Sequence, residues 1–178
     1  CQTHADCAAP VGAGLCDPNG SCVPAANIVF VNDNAAVCPG QGTSSNPYCT
    51  IQNGVDATTP TRKYVLLRDG TYTDFVHDLG TEIHLIGPAD AYISGTGLSG
   101  PLAVINTGSH LILEGVTITA VASGNIGLQC AGNGGTVSSL TLRGVTATGN
   151  TAAHIVNTIL CNLRVEQSDF ISNGALAM

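Results

Sequence analysis

Apolar residues alternate with other residues in short runs that recur down the chain. Leu111-Ile112-Leu113-Glu114 returns 29 residues later (140 − 111) as Leu140-Thr141-Leu142-Arg143. It returns again after 23 more (163 − 140) as Leu163-Arg164-Val165-Glu166. An earlier copy, Ile83-His84-Leu85-Ile86, starts 28 residues upstream (111 − 83). A period of two within each run is a strand signal, and a repeat of this length marks a solenoid. Gly or Gln after each copy permits a bend, and Val116–Thr119 and Val145–Thr148 read as second strands of their coils.

A single coil cannot bury its own apolar edge, so the coils must stack, each strand about 4.8 Å from its copy. Stacking predicts an inner column of Ile83, Leu111, Leu140 and Leu163. It predicts an outer column of Ile86, Glu114, Arg143 and Glu166. Alternating charge in that outer column suits a stack, and exposed ion pairs of this kind read as surface support rather than as a binding site. Asn150 and Asn173 are expected to close equivalent turns and to ladder between coils.

Upstream of the repeats, Ile28–Val31 reads as the first strand, followed by a loop over 32–47 rich in Gly, Ser, Asn and Pro. Ile51 and Val55, with Thr50 as N-cap and Pro60 as stop, predict a short helix whose apolar face covers the open first coil. Tyr64–Asp74 reads as strand, glycine turn and strand.

This order, Thr50-Ile51-Gln52, Val55-Asp56-Ala57, Val65-Leu66-Leu67 and Asp69-Gly70-Thr71-Tyr72, resembles the start of pectin-lyase-like proteins. With the repeats, the resemblance extends over residues 28–173. It implies an all-β chain, a right-handed parallel β-helix with a short N-terminal capping helix. It also implies a secreted or surface protein that acts on, or attaches to, acidic polysaccharide.

Composition agrees with a narrow core. Of 178 residues only 4% are aromatic, none is Trp and 22 are Gly. Charged residues make up 10%, the net charge is −7 and the pI is near 4.8. Five scattered Lys and Arg form no basic patch, so neither nucleic acid nor an anionic membrane is an expected partner. No apolar run is long enough for a transmembrane segment.

The eight Cys residues point to disulfides and an oxidising compartment. Residues 1–24, with Cys1, Cys7, Cys16 and Cys22, form a segment too poor in large apolar side chains to make a core, set apart from the β-helix of 25–178. Cys1–Cys16 with Cys7–Cys22 is the preferred pairing among three, and a zinc site is the rival reading. A lipidated Cys1 would leave an odd thiol. The segment resembles short Cys/Asp/Gly units of myxobacterial secreted proteins. Cys38 and Cys49 bracket the loop and are expected to bond. Cys130 and Cys161 are read as lying on third strands of adjacent coils, as an inter-coil disulfide or as two buried thiols. The chain stops soon after a coil, which suggests a truncated or uncapped end open to self-association.

The resemblance sets a standard for catalysis. Lyases of the superfamily use an Arg or Lys base and calcium held by several Asp or Glu on one outer sheet face. Polygalacturonase-like relatives use clustered Asp, a His and an Arg-x-Lys triplet. Here Arg62-Lys63 precede the coils, Arg68, Arg143 and Arg164 stand alone, and no Arg-x-Lys or glycosidase-type Asp pair occurs. The best polar cluster is Asp74, His77, Asp78, Glu82 and His84, a candidate calcium or ligand set weighed against a solvated acidic loop. His84 is expected on the outer surface above Ile112 and Thr141, and His110 and His154 show no partner in the sequence. Gly132-Asn133-Gly134-Gly135 is a turn, not a phosphate loop. Thr117 and Thr119 over Thr146 and Thr148 resemble two ranks of an ice-binding threonine array. The expected function is a non-enzymatic secreted or cell-surface module that binds polysaccharide or serves a structural role, without a cofactor except possible calcium. The alternative is a polysaccharide lyase or glycosidase completed by coils beyond residue 178.

Overall fold

The computed structural model describes residues 1, 4–7, 14–17, 20–73, 75–106, 108–133, 135–151 and 154–171, with the backbone alone at 4, 5 and 154. Its strands stack in three parallel sheets, one per side of a coil. The first sheet runs β1 (Ile28–Val31), β2 (Tyr64–Leu67), β5 (Glu82–Ile86), β8 (His110–Glu114), β11 (Ser138–Arg143), β14 (Cys161–Glu166). The second stacks β3 (Gly70–Tyr72), β6 (Ala91–Ser94), β9 (Thr117–Thr119), β12 (Thr146–Thr148) and β15 (Asp169–Ile171). The third stacks β4 (Phe75–His77), β7 (Ala103–Ile105), β10 (Ile126–Ala131) and β13 (His154–Ile159). This is a parallel β-helix.

The predicted columns form. Ile83 pairs with Leu111, Leu111 with Leu140, and Leu140 with Leu163. Ile83, Leu111 and Leu140 are fully buried, because a strand on either side shields each of them. Leu163 is half-buried, since β14 has a described neighbour on one side only. The bends after the repeats are left-handed at Gly115 (φ 76°), Gly144 (φ 59°) and Gln167 (φ 47°). Asn150 closes its turn while buried. Its Oδ1 accepts from Val121 N at 2.9 Å and its Nδ2 donates to Ile118 O, so one amide clasps the coil below. Asn173 lies outside the described residues.

The predicted helix is α1 (Ile51–Asp56). Thr50 Oγ1 accepts from Asn53 N at 3.2 Å, and Ile51 and Val55 join the main core beside Val29, Val31 and Val65. The preferred crossed pairing of the N-terminal segment is present as Cys1–Cys16 and Cys7–Cys22, and Cys38–Cys49 closes its loop. The N-terminal segment does not hang free. Leu15 and Val23 are buried against Ile28, Phe30, Tyr64 and Ile86, the outward side chains of β1, β2 and β5. A chain with few large apolar residues thus finds its core by borrowing the outer face of the first sheet.

Cys130 and Cys161 are bonded, but not as third-strand neighbours. Cys130 lies on β10, where its partner in β13 is Thr158, whereas Cys161 begins β14 in the first sheet. The bridge therefore turns a corner and fastens one coil to the strand that opens the next but one. The misplacement follows from the short 23-residue coil, in which Leu160 alone, at φ 53°, turns the chain from β13 into β14.

Candidate functional site

The outer face of the first sheet carries most of the chemistry. Because side chains alternate, burying Ile83, Leu85, Leu111, Leu113, Leu140 and Leu142 turns their neighbours outward. Register then aligns them in three columns. One is Glu82, His110, Ser139 and Asn162; the next His84, Ile112, Thr141 and Arg164; the third Ile86, Glu114, Arg143 and Glu166. Rungs lie about 4.8 Å apart up the stack, and outward positions about 6.6 Å apart along a strand.

At one end of the face, Glu82 Oε1 accepts from Lys63 Nζ and from His84 Nε2, the latter at 3.0 Å. The lysine's hydrogen bond, with that of His84 in support, holds the Glu82 carboxyl down to about 2. His84 is pushed the other way from a charged state: burial lowers its pKa and outweighs the adjacent carboxylate. The contact is therefore a neutral imidazole N–H on a carboxylate, not an ion pair. The ring of Tyr64 lies 4.8 Å from that of His84 and helps to enclose it. His84 does point outward above Ile112, but it is buried rather than on the surface. The covering groups come from distant parts of the chain.

In the third column Arg143 Nε donates to Glu166 Oε2 at 2.9 Å, and its Nη1 reaches Glu114 Oε2 at 3.4 Å. Arg164 also pairs with Glu166. The hydrogen bond from Arg143 lowers the Glu166 pKa, and the same bond raises that of Arg143. His110, for which the sequence showed no partner, meets Ser139 on the adjoining strand, Nδ1 to Oγ at 2.8 Å. His154 has only its backbone described.

Of the loop cluster read as a calcium set, Glu82 and His84 meet, and the other described members do not join them. Asp74 lies outside the described residues. Asp78 is exposed, Glu82 is held by Lys63 and His84, and His77 faces the core. Phe75-Val76-His77 is a strand, so His77 shares the inward side with Phe75. It is fully buried, and its Nε2 donates to the Thr81 carbonyl at 2.9 Å. Three sulfurs, of Cys1, Cys7 and Cys16, lie within 4.8 Å of one another, but all are engaged in disulfides, so the zinc reading gives way. The threonine ranks pair as expected, but Thr117 is buried and spends its hydroxyl on Ala89 O, which removes the open array.

No family model, curated protein or solved structure matches this chain. The site must be read from its own geometry. Tyr64, Ser139 and Asn162 are site residues that the sequence did not single out, and Lys63 and Thr141 were named there in other roles. The stacking intervals contained the signal for Ser139: 110 − 82 = 28 and 139 − 110 = 29, the same steps as the leucine column.

Burial lowers the pKa of both His77 and His84 from 6.5. Below 6.5 the unfolded chain takes up protons that the folded chain refuses, so stability is expected to fall as pH drops. Glu82 acts in a lower window, losing its contribution between 4.5 and about 2. Urea midpoints measured from about pH 7.5 to 5 should decline, and His77→Leu should flatten that slope relative to its own value at neutral pH. A wild-type midpoint that rises on acidification would contradict this.

Proposed function

We propose that this chain is a secreted or cell-surface β-helical module that holds polysaccharide on the outer face of its first sheet without cleaving it. The observation that carries the reading is the lattice of outward groups. Asn162, Ser139 and His110, then Arg164 and Thr141, present donors and acceptors at regular steps on parallel strands, braced by the Glu114–Arg143–Glu166 ion pairs of the next column. An extended polymer with hydroxyls at a regular repeat is the natural complement of such a surface.

Two of the three glutamates on this face favour binding over bond cleavage. Glycoside hydrolysis needs two carboxyl groups, one of them poised to carry a proton. Glu82 is pinned down to about 2 by Lys63 and His84, and Glu166 is lowered by Arg143, so both are held as anions by neighbouring donors. Four disulfides suit an oxidising, extracellular setting, and no described helix is long and apolar enough to cross a membrane. The similarity of the 50–72 region to pectin-lyase-like proteins agrees with a polysaccharide ligand.

A glycan array, paired with an activity screen on uronate polymers with and without calcium, tests the proposal. Retention without turnover is expected. Exchanging both Asn162 and Arg164 for Ala should weaken retention about fivefold or more, a loss of about 1 kcal/mol, with unfolding unchanged. Release of unsaturated or reducing ends would establish an enzyme instead, and no retention on any glycan would refute the module.

A further inference from the structure

The chain has five Lys and Arg against twelve Asp and Glu. Lys63, Arg143 and Arg164 each meet a glutamate. Arg62 and Arg68 pair with no described carboxylate, and both reach the same loop. Arg62 donates through Nε and Nη2 to Ile28 O, at 3.2 and 3.0 Å, and through Nη2 to Gly42 O. Arg68 Nη2 donates to Ser44 O at 2.9 Å. Carbonyl dipoles satisfy these donors without cancelling the charge. In an acidic protein, two uncompensated guanidinium groups therefore converge on residues 42–44.

Beside them lies a cavity of about 450 Å³. Ala25, Ala26 and Phe30 supply an apolar wall, and Thr43, Ser44 and Arg62 the polar side. This volume falls within the range of small-molecule sites. Among the described residues Arg62 Nη1 has no partner, so two N–H groups remain after the other nitrogens are committed. A ligand anion there would gain a charge-assisted hydrogen bond. Its apolar body would leave water against the exposed Ala25 and Ala26 and the uncovered edge of Phe30, whose ring is otherwise buried under the N-terminal segment.

We propose that this pocket binds a small organic monocarboxylate, its charged end at Arg62 and an apolar ring or short aliphatic body against Ala25, Ala26 and the uncovered edge of Phe30. The site is separate from the lattice of the first sheet and does not depend on the polysaccharide reading.

The test is an NMR titration of the intact chain with benzoate, with benzamide as its uncharged match and inorganic phosphate as an anion without a body. Benzoate is expected to shift the Phe30 ring and Arg62 side-chain signals with a Kd of about 1 mM or tighter. Benzamide and phosphate should each bind at least tenfold more weakly. Arg62→Gln should abolish the shifts, but it also removes the brace on Ile28 and Gly42. Ser44→Asp is therefore the second variant: it places an anion at the pocket, leaves Arg62 in place, and should weaken benzoate tenfold at unchanged melting temperature. No benzoate shift, equal binding of benzamide or phosphate, or benzoate affinity unaffected by Ser44→Asp would each overturn the proposal.

Discussion

Leu140→Ala is expected to lower the free energy of unfolding by about 2–5 kcal/mol, the range for removing a leucine from a packed core. Leu140 is fully buried and lies in register between Leu111 below and Leu163 above. The missing side chain leaves a gap bounded by two other leucines on hydrogen-bonded strands, which cannot close it without breaking the ladder. Leu163→Ala removes the same atoms from a half-buried position and is expected to cost less, about 2 kcal/mol or below. Thr141→Ala, one residue along but on the outer face, should stay within about 0.5 kcal/mol. Urea or guanidinium unfolding of the three variants checks the order. Equal losses at 140 and 163 would mean that the column is not shielded by its neighbours, which removes the reason for the stack.

How far the sequence announced this molecule depends on the length of each element. The five- and six-residue repeat strands carry two alternate aliphatic residues each, so the columns through Ile83, Leu111, Leu140 and Leu163 could be read directly. The helix could be read from Thr50, Ile51 and Val55, because its cap and its apolar spacing are local. A three-residue strand can be read only where a repeat marks it, as at Thr117–Thr119 and Thr146–Thr148. Phe75-Val76-His77 therefore looked like part of a polar loop, and His77 was counted among surface ligands although its ring lies in the core. His84 failed differently: its outward direction followed from the repeat, but its cover comes from Tyr64, twenty positions earlier (84 − 64), and no local pattern encodes that. Cys161 opens a first-sheet strand rather than ending a third-sheet one, because the last coil is shorter than the one before. The candidate site is legible in part. Its columns follow from the stacking interval, whereas the pairing of Glu82 with Lys63 depends on a strand that the repeat does not include.

Gly115→Ala should cost about 2–5 kcal/mol, combining about 1–2 for a left-handed alanine with about 1–3 for forced overpacking. Gly144→Ala, at the same corner one coil later, should cost only the first part, about 1–2 kcal/mol. Both glycines are left-handed, at φ 76° and φ 59°. They differ in what a methyl group would meet. At Gly115 a Cβ would sit 2.3 Å from the carbonyl oxygen of Gly87, a backbone atom of the coil below that cannot swing aside. At Gly144 nothing lies within 4 Å. Gln167 makes the same bend at φ 47° with a full side chain, so the corner tolerates a Cβ where the neighbouring coil leaves room. The corner hydrogen bond is the same at both positions, Gly87 N to Glu114 O and Gly115 N to Arg143 O, so the difference lies in the Gly87 carbonyl alone. Melting temperatures of the two variants should therefore separate clearly, Gly115→Ala lying lower. If they fall together, the corners are not in contact as the stacking requires, and the cost is left-handed strain alone.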